Sequence, residues 1–149
     1  MGTTWMPRSC RDTIGGLIWL PRMIHKARRL VDEDAHGKRV GEYIFGRHDP
    51  ADAQVLRFLG ISDEEALDIV RAIPDDDGAA LQMISMSGKT SAQCAAFSRR
   101  FATVMAPFLA MMDADEGRRK PGALTSFLRW FYNRVLMPPS YAYFRYKER

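Results

Sequence analysis

The stretch Leu20-Pro21-Arg22-Met23-Ile24-His25-Lys26-Ala27-Arg28-Arg29, followed by Gly41-Glu42-Tyr43-Ile44-Phe45-Gly46, decides how this chain is read. Pro21 fits the first position of a helix, where its missing N–H costs nothing. Arg22, His25, Lys26 and Arg29 then fall at i, i+3, i+4 and i+7, within an arc of about 100°. Met23, Ile24, Ala27, Leu30 and Val31 take the opposite arc and supply a core face. The pattern predicts a helix over 21–33 with a cationic stripe suited to a carboxylate or phosphate.

Outward from this helix the start signals are clear. Ser62-Asp63-Glu64-Glu65 and Thr90-Ser91-Ala92-Gln93 both have capping-box spacing, opening helices near 63–73 and 91–112. Gly60 closes a short helix over about 52–59 as its C′ residue, and Ile61, just before the Ser62 cap, can act as a hydrophobic staple. Asp75-Asp76-Asp77 precedes a short helix at 79–84 and complements its dipole. Leu124, Phe127, Leu128, Phe131 and Val135 form an apolar stripe on a last helix, 123–137, stopped by Pro138-Pro139. The only β-like stretch, Tyr43-Ile44-Phe45, is too short to seed a sheet. The expected fold is all-α: a compact bundle of about six short helices with a basic aromatic C-terminal helical arm.

At 149 residues the chain is most simply one body, here 1–112. A polar linker, 113–122 (DADEGRRKPG), separates it from a C-terminal helix and aromatic strap over 123–149. Residues 117–149 carry eight Arg/Lys against Glu148, a net +7, which leaves the remainder at −3. Cys10 and Cys94 have neither metal-ligand nor disulfide spacing, which favours reduced thiols and a cytoplasmic location. No stretch reads as a signal peptide or membrane span; Ile14 to Leu20 and Ala102 to Met112 are too short.

Several short motifs occur in order: Arg8-Ser9, Gly15-Gly16, Leu20-Pro21-Arg22, Lys26-Ala27-Arg28, Gly41-Glu42-Tyr43, Phe45-Gly46, Phe58-Leu59-Gly60-Ile61 and Ser87-Gly88-Lys89-Thr90. Together, over about 6–112, they resemble a bacterial family known as domain of unknown function 5069. The resemblance implies a small soluble bacterial protein and supports the helical fold. It brings no activity and no catalytic residues, and the arm after 113 departs from it.

The candidate site lies between the 21–33 helix and the 41–46 loop. Arg22, Lys26 and Arg29 are the expected anion-binding residues: the arginines by bidentate contact, the lysine as a point charge. Arg22→Ala is expected to abolish anion binding at little cost in stability. Glu42, His25 and Tyr43 are the catalytic candidates: Glu42 or His25 as acid/base, and Tyr43 as a hydrogen-bond donor. Two cationic neighbours should push His25 toward its neutral form. The plainer accounts are a solvated helix face with an Arg29–Glu33 pair, and a structural Glu42 ion pair with Arg22 or Lys26.

Gly88-Lys89-Thr90 is no phosphate loop, because position 83 is methionine where glycine is required. No metal constellation is present and no cofactor is expected. Cys94 reads as buried rather than catalytic. The function expected is binding of a small anionic metabolite, with cofactor-independent catalysis open. The alternative is an interaction module acting through the arm, which holds half of all the aromatic residues. A homodimer through residues 123–146 is the favoured partner, ahead of nucleic acid or membrane.

Overall fold

In a computed structural model, residues 5–33, 39–40, 43–118 and 127 are described. They form six helices and two small antiparallel hairpins. The chain divides into two compact units, Met1–Val104 and Met105–Arg149.

The first unit opens with β1 (Thr13–Ile14) and β2 (Leu17–Ile18), paired Thr13 to Ile18 and Ile14 to Leu17. This hairpin is absent from the sequence-based reading. Its two-residue turn is Gly15-Gly16, at φ 56° and 80°, the positive values such turns require. Ser98 secures it by accepting from the Ile18 N–H at 2.9 Å and donating to the Gly16 carbonyl at 2.6 Å.

Helix α1 (Leu20–Asp32) follows and is the centre of the unit, packed against α3 (Asp63–Ala72) and α4 (Asp76–Ser87). Its apolar face is buried as the periodicity predicts: Met23, Ile24, Ala27 and Leu30 are all 4% exposed or less. The cationic face is a correction to the solvated account. Arg22 and Lys26 are also buried, at 0% and 1%, because the 43–49 segment and α2 (Pro50–Leu59) cover that side. The residue preceding α1, Trp19, has φ +73°, the one non-glycine positive φ among the described residues.

β3 (Arg39–Val40) and β4 (Tyr43–Ile44) pair Arg39 with Ile44 and Val40 with Tyr43. Thus the short β-like stretch does find a partner, and the fold is mostly helical rather than strictly all-α. Asp49 caps α2, accepting from Ala51 and Asp52 N–H at 2.8 and 3.1 Å, with Pro50 in the first position.

Both capping boxes close as expected. Ser62 and Glu65 satisfy each other's backbone N–H groups, as do Thr90 and Gln93. Asp75 caps α4, which runs past the predicted 79–84 to end at Gly88. Gly88-Lys89-Thr90 is therefore a helix stop followed by a helix start.

The predicted 91–112 helix is two helices: α5 (Ser91–Val104) and, in the second unit, α6 (Ala106–Asp115). Pro107 explains the break, since it cannot donate back to Thr103 and its ring crowds that carbonyl. Of the predicted 123–137 helix only Phe127 is described, and it is 58% exposed. The rest of that span lies outside the described residues. No helix among the described residues is long and apolar enough to cross a membrane.

Candidate functional site

The predicted cationic stripe divides into two clusters, one at the surface and one buried beneath it. Burial draws the line: Arg22 and Lys26 are covered, His25 is half-buried and Arg29 is exposed.

Arg22 sits at the junction. Its guanidinium lies 5.1 Å from the Trp19 ring and 5.2 Å from the Tyr43 ring, and its Nη1 donates to the Arg8 carbonyl at 2.9 Å. A guanidinium against two aromatic faces is well placed for cation–π attraction, which strengthens out of water. The N–H of the same Arg8 donates to His25 Nδ1 at 3.0 Å. One residue thus orients two of the predicted site residues through its backbone.

His25 is half-buried, and burial lowers its pKa. Asp76 opposes that shift, while Arg8, Arg22 and Arg29 reinforce it. The cationic neighbours act in the direction predicted, but desolvation is the larger cause. With Nδ1 accepting from a backbone N–H, the neutral ring carries its proton on Nε2 and presents a donor.

Trp5 completes the surface cluster. Its ring meets His25 edge-on at 5.1 Å and Tyr43 at 6.0 Å, with the Arg29 guanidinium 5.7 Å above it. Arg29 is exposed and pairs with Glu33 at 2.6 Å, the i,i+4 partner foreseen. Arg22, His25, Arg29 and Tyr43 are therefore brought together. Glu42 lies outside the described residues.

Lys26 belongs to the buried cluster. Its Nζ donates to the Ile44 carbonyl at 2.7 Å and to Asp52 Oδ2 at 2.8 Å, with Asp49 Oδ2 at 3.4 Å. Asp52 is fully buried and also accepts from the Trp19 indole N–H at 2.6 Å and the Gly46 N–H at 2.8 Å. Burial pushes its carboxyl from 3.8 up to about 6, against the pull of Lys26. At neutral pH it is still a carboxylate, and Lys26 has its counter-ion inside the fold.

Asp52, Trp19, Trp5 and Arg8 were not singled out from the sequence. Arg8 stood in a quoted motif, and Asp49-Pro50 is a recognisable helix start. Nothing local marks Asp52 as the partner of a lysine 26 positions earlier.

Other features are simpler. Both cysteines are buried and neither is in a disulfide, and burial raises the Cys94 pKa although Lys89 lowers it, which makes it a poor nucleophile. No cluster of three or more metal-ligating side chains occurs among the described residues. A groove of about 280 Å³ between α2 and the start of α3, lined by Arg47, Leu56, Arg57, Ile61, Ser62 and Glu64, contains none of the predicted site residues.

Fold and site together define a small, mostly helical protein with a cation–aromatic surface cluster over a buried ion pair. The chain belongs to the family described as domain of unknown function (DUF5069), whose model matches residues 4–120. No curated relative and no solved structure matches it.

Proposed function

We propose that the protein binds a small anion, a carboxylate or phosphate, at the surface cluster of Trp5, His25, Arg29 and Tyr43. The observation that carries this reading is the Arg8 N–H bond to His25 Nδ1, which leaves the Nε2–H as the ring's donor, on an imidazole that meets the same Trp5 ring as the Arg29 guanidinium. An arginine and a neutral imidazole donor suit an anion better than either suits a cation. Tyr43 adds a hydroxyl to the donors, and the Arg22 guanidinium against its ring contributes positive potential. Lys26 is not an anion ligand in this reading, since its Nζ is buried and held by the Ile44 carbonyl and Asp52, whereas the Arg29–Glu33 pair is exposed.

The reading stops at binding. A general base at His25 would need the lone pair that Arg8 occupies, and Glu42 lies outside the described residues. Titration of ¹⁵N-labelled protein with inorganic phosphate and with benzoate tests the site. Shifts centred on Trp5, His25 and Arg29, lost in Arg29→Ala, are expected. Shifts confined to residues 117–149 overturn it.

A second reading rests on the +7 charge of 117–149 and the exposure of Phe127. In it the arm is an interaction module, with a second copy of the chain as partner. Light scattering on the full chain and on a 1–116 truncation tests it, with a dimer that becomes a monomer as the expected result.

A further inference from the structure

Two buried charged side chains commit their polar atoms to the short segment that carries Tyr43. Lys26 Nζ holds the Ile44 carbonyl at 2.7 Å, and Asp52 Oδ2 holds the Gly46 N–H at 2.8 Å. Between those two anchors the Phe45 ring is fully buried. The segment's own hairpin has only two residues per strand, too few to fix a position unaided.

The same carboxylate ties down the other side of the site. Asp52 Oδ1 accepts from the Trp19 indole at 2.6 Å, and Trp19 stands at φ +73° where α1 begins. A tryptophan in that region is strained and stays there only where the surroundings hold it. No side chain caps the start of α1, so the indole bond helps define where the helix begins and where Arg22, His25 and Arg29 point.

We infer that the Lys26–Asp52 pair is the positioning device of the surface cluster, fixing Tyr43 on one side and the start of α1 on the other. Asp52 and Lys26 are positioning residues: they touch no ligand and act through the Ile44, Gly46 and Trp19 groups they hold. The inference rests on the anion-binding reading only where it concerns affinity. Replacing one member would leave the other as an uncompensated buried charge, so the informative change removes both. A buried pair exchanged for apolar side chains of similar volume commonly leaves stability unaffected.

The test is Lys26→Met/Asp52→Leu in the full chain. The melting temperature should fall, since the Ile44 carbonyl, Gly46 N–H and Trp19 indole N–H lose their partners. The fall should be smaller than in Lys26→Ala or Asp52→Ala, which also leave a buried charge unpaired. Gly46 amide exchange should quicken by about tenfold or more, as its acceptor is gone. Tyr43 ring resonances should move, and affinity for inorganic phosphate should fall by about tenfold. Unchanged Gly46 exchange and Tyr43 resonances overturn the positioning role. A wild type that binds neither phosphate nor benzoate overturns the binding reading instead, and the exchange and ring measurements still decide this one. Should the double variant not fold, Asp52→Asn serves: its amide has one acceptor oxygen for three donors, so faster Gly46 exchange is again expected, and an unchanged rate again refutes the role.

Discussion

Lys26 and Asp52 form an ion pair at 2.8 Å in which the side chains are 1% and 0% exposed. Other ion pairs among the described residues are unlike it: Arg29–Glu33 and Arg71–Asp68 join side chains that are all more than 40% exposed. Exposed pairs contribute about 0–1 kcal/mol, whereas removing one member of a buried pair costs about 3–5 kcal/mol. Lys26→Ala and Asp52→Ala should each destabilise on that larger scale, and Arg29→Ala by less than about 1 kcal/mol. Urea unfolding of the three variants checks the ranking. Single-variant losses at Lys26 or Asp52 as small as that of Arg29 would show that water reaches the pair.

Asp52 also sets a pH dependence with a definite sign. Its folded-state pKa of about 6 lies above the ordinary 3.8, so the folded chain holds this proton more tightly than the unfolded one. The stability it contributes is therefore full below about pH 4, declines as pH rises through about 6, and is flat beyond. Wild type should lose stability relative to Asp52→Asn between those limits. Parallel urea transitions of the two proteins measure it, and a difference that grows in the opposite sense would mean that the three donors, rather than burial, dominate this carboxyl.

His25 runs the other way. Burial lowers its pKa below 6.5, so the unfolded chain binds this proton more tightly, and acidification from about 6.5 toward the lowered value weakens the fold. The imidazole C2 proton followed by NMR should show a midpoint below 6.5. A midpoint above it would be incompatible with Nδ1 accepting from Arg8 and would remove the fixed donor from the proposed site.

Arg22 shows where sequence reasoning was limited. The helix, its register and its apolar face were legible because a period of 3.6 is a local property. So were the capping boxes, which need only four consecutive residues. The family match extends over 4–120, a little beyond the span in which the motifs were recognised. The burial of the cationic side was not legible: it depends on Asp52 and Tyr43 arriving from distant segments. A helix with one charged face reads as a surface helix unless the counter-ion is known to be elsewhere in the chain.

The expectation that Arg22→Ala costs little stability is accordingly reversed. The side chain is fully buried between Trp19 and Tyr43, and its truncation removes packing, two cation–π contacts and the bond to the Arg8 carbonyl. A loss of about 2–4 kcal/mol is expected. Arg22→Lys should recover only part of it, since an ammonium cannot span two ring faces as a planar guanidinium does. Thermal denaturation of both variants decides, and full recovery by lysine would reduce the role of Arg22 to charge alone.

Gly46 offers the sharpest backbone test because it stands where the buried pair, the Tyr43 segment and α3 meet. Its φ is +101°, outside the left-handed well that other residues occasionally occupy. A Cβ added there would lie 2.7 Å from the Asp63 carboxyl carbon, and that carboxylate is held by the Arg47 N–H at 2.9 Å. Gly60 is the natural control: its φ is +71°, and nothing lies within 4 Å of the added carbon. Gly60→Ala should show the conformational term alone, about 1–2 kcal/mol. Gly46→Ala should exceed it, because backbone strain and a blocked carboxylate act together, at about 3 kcal/mol or more. Equal losses in thermal melts would mean that Asp63 moves aside freely and that the 43–49 segment is held more loosely than its buried anchors imply.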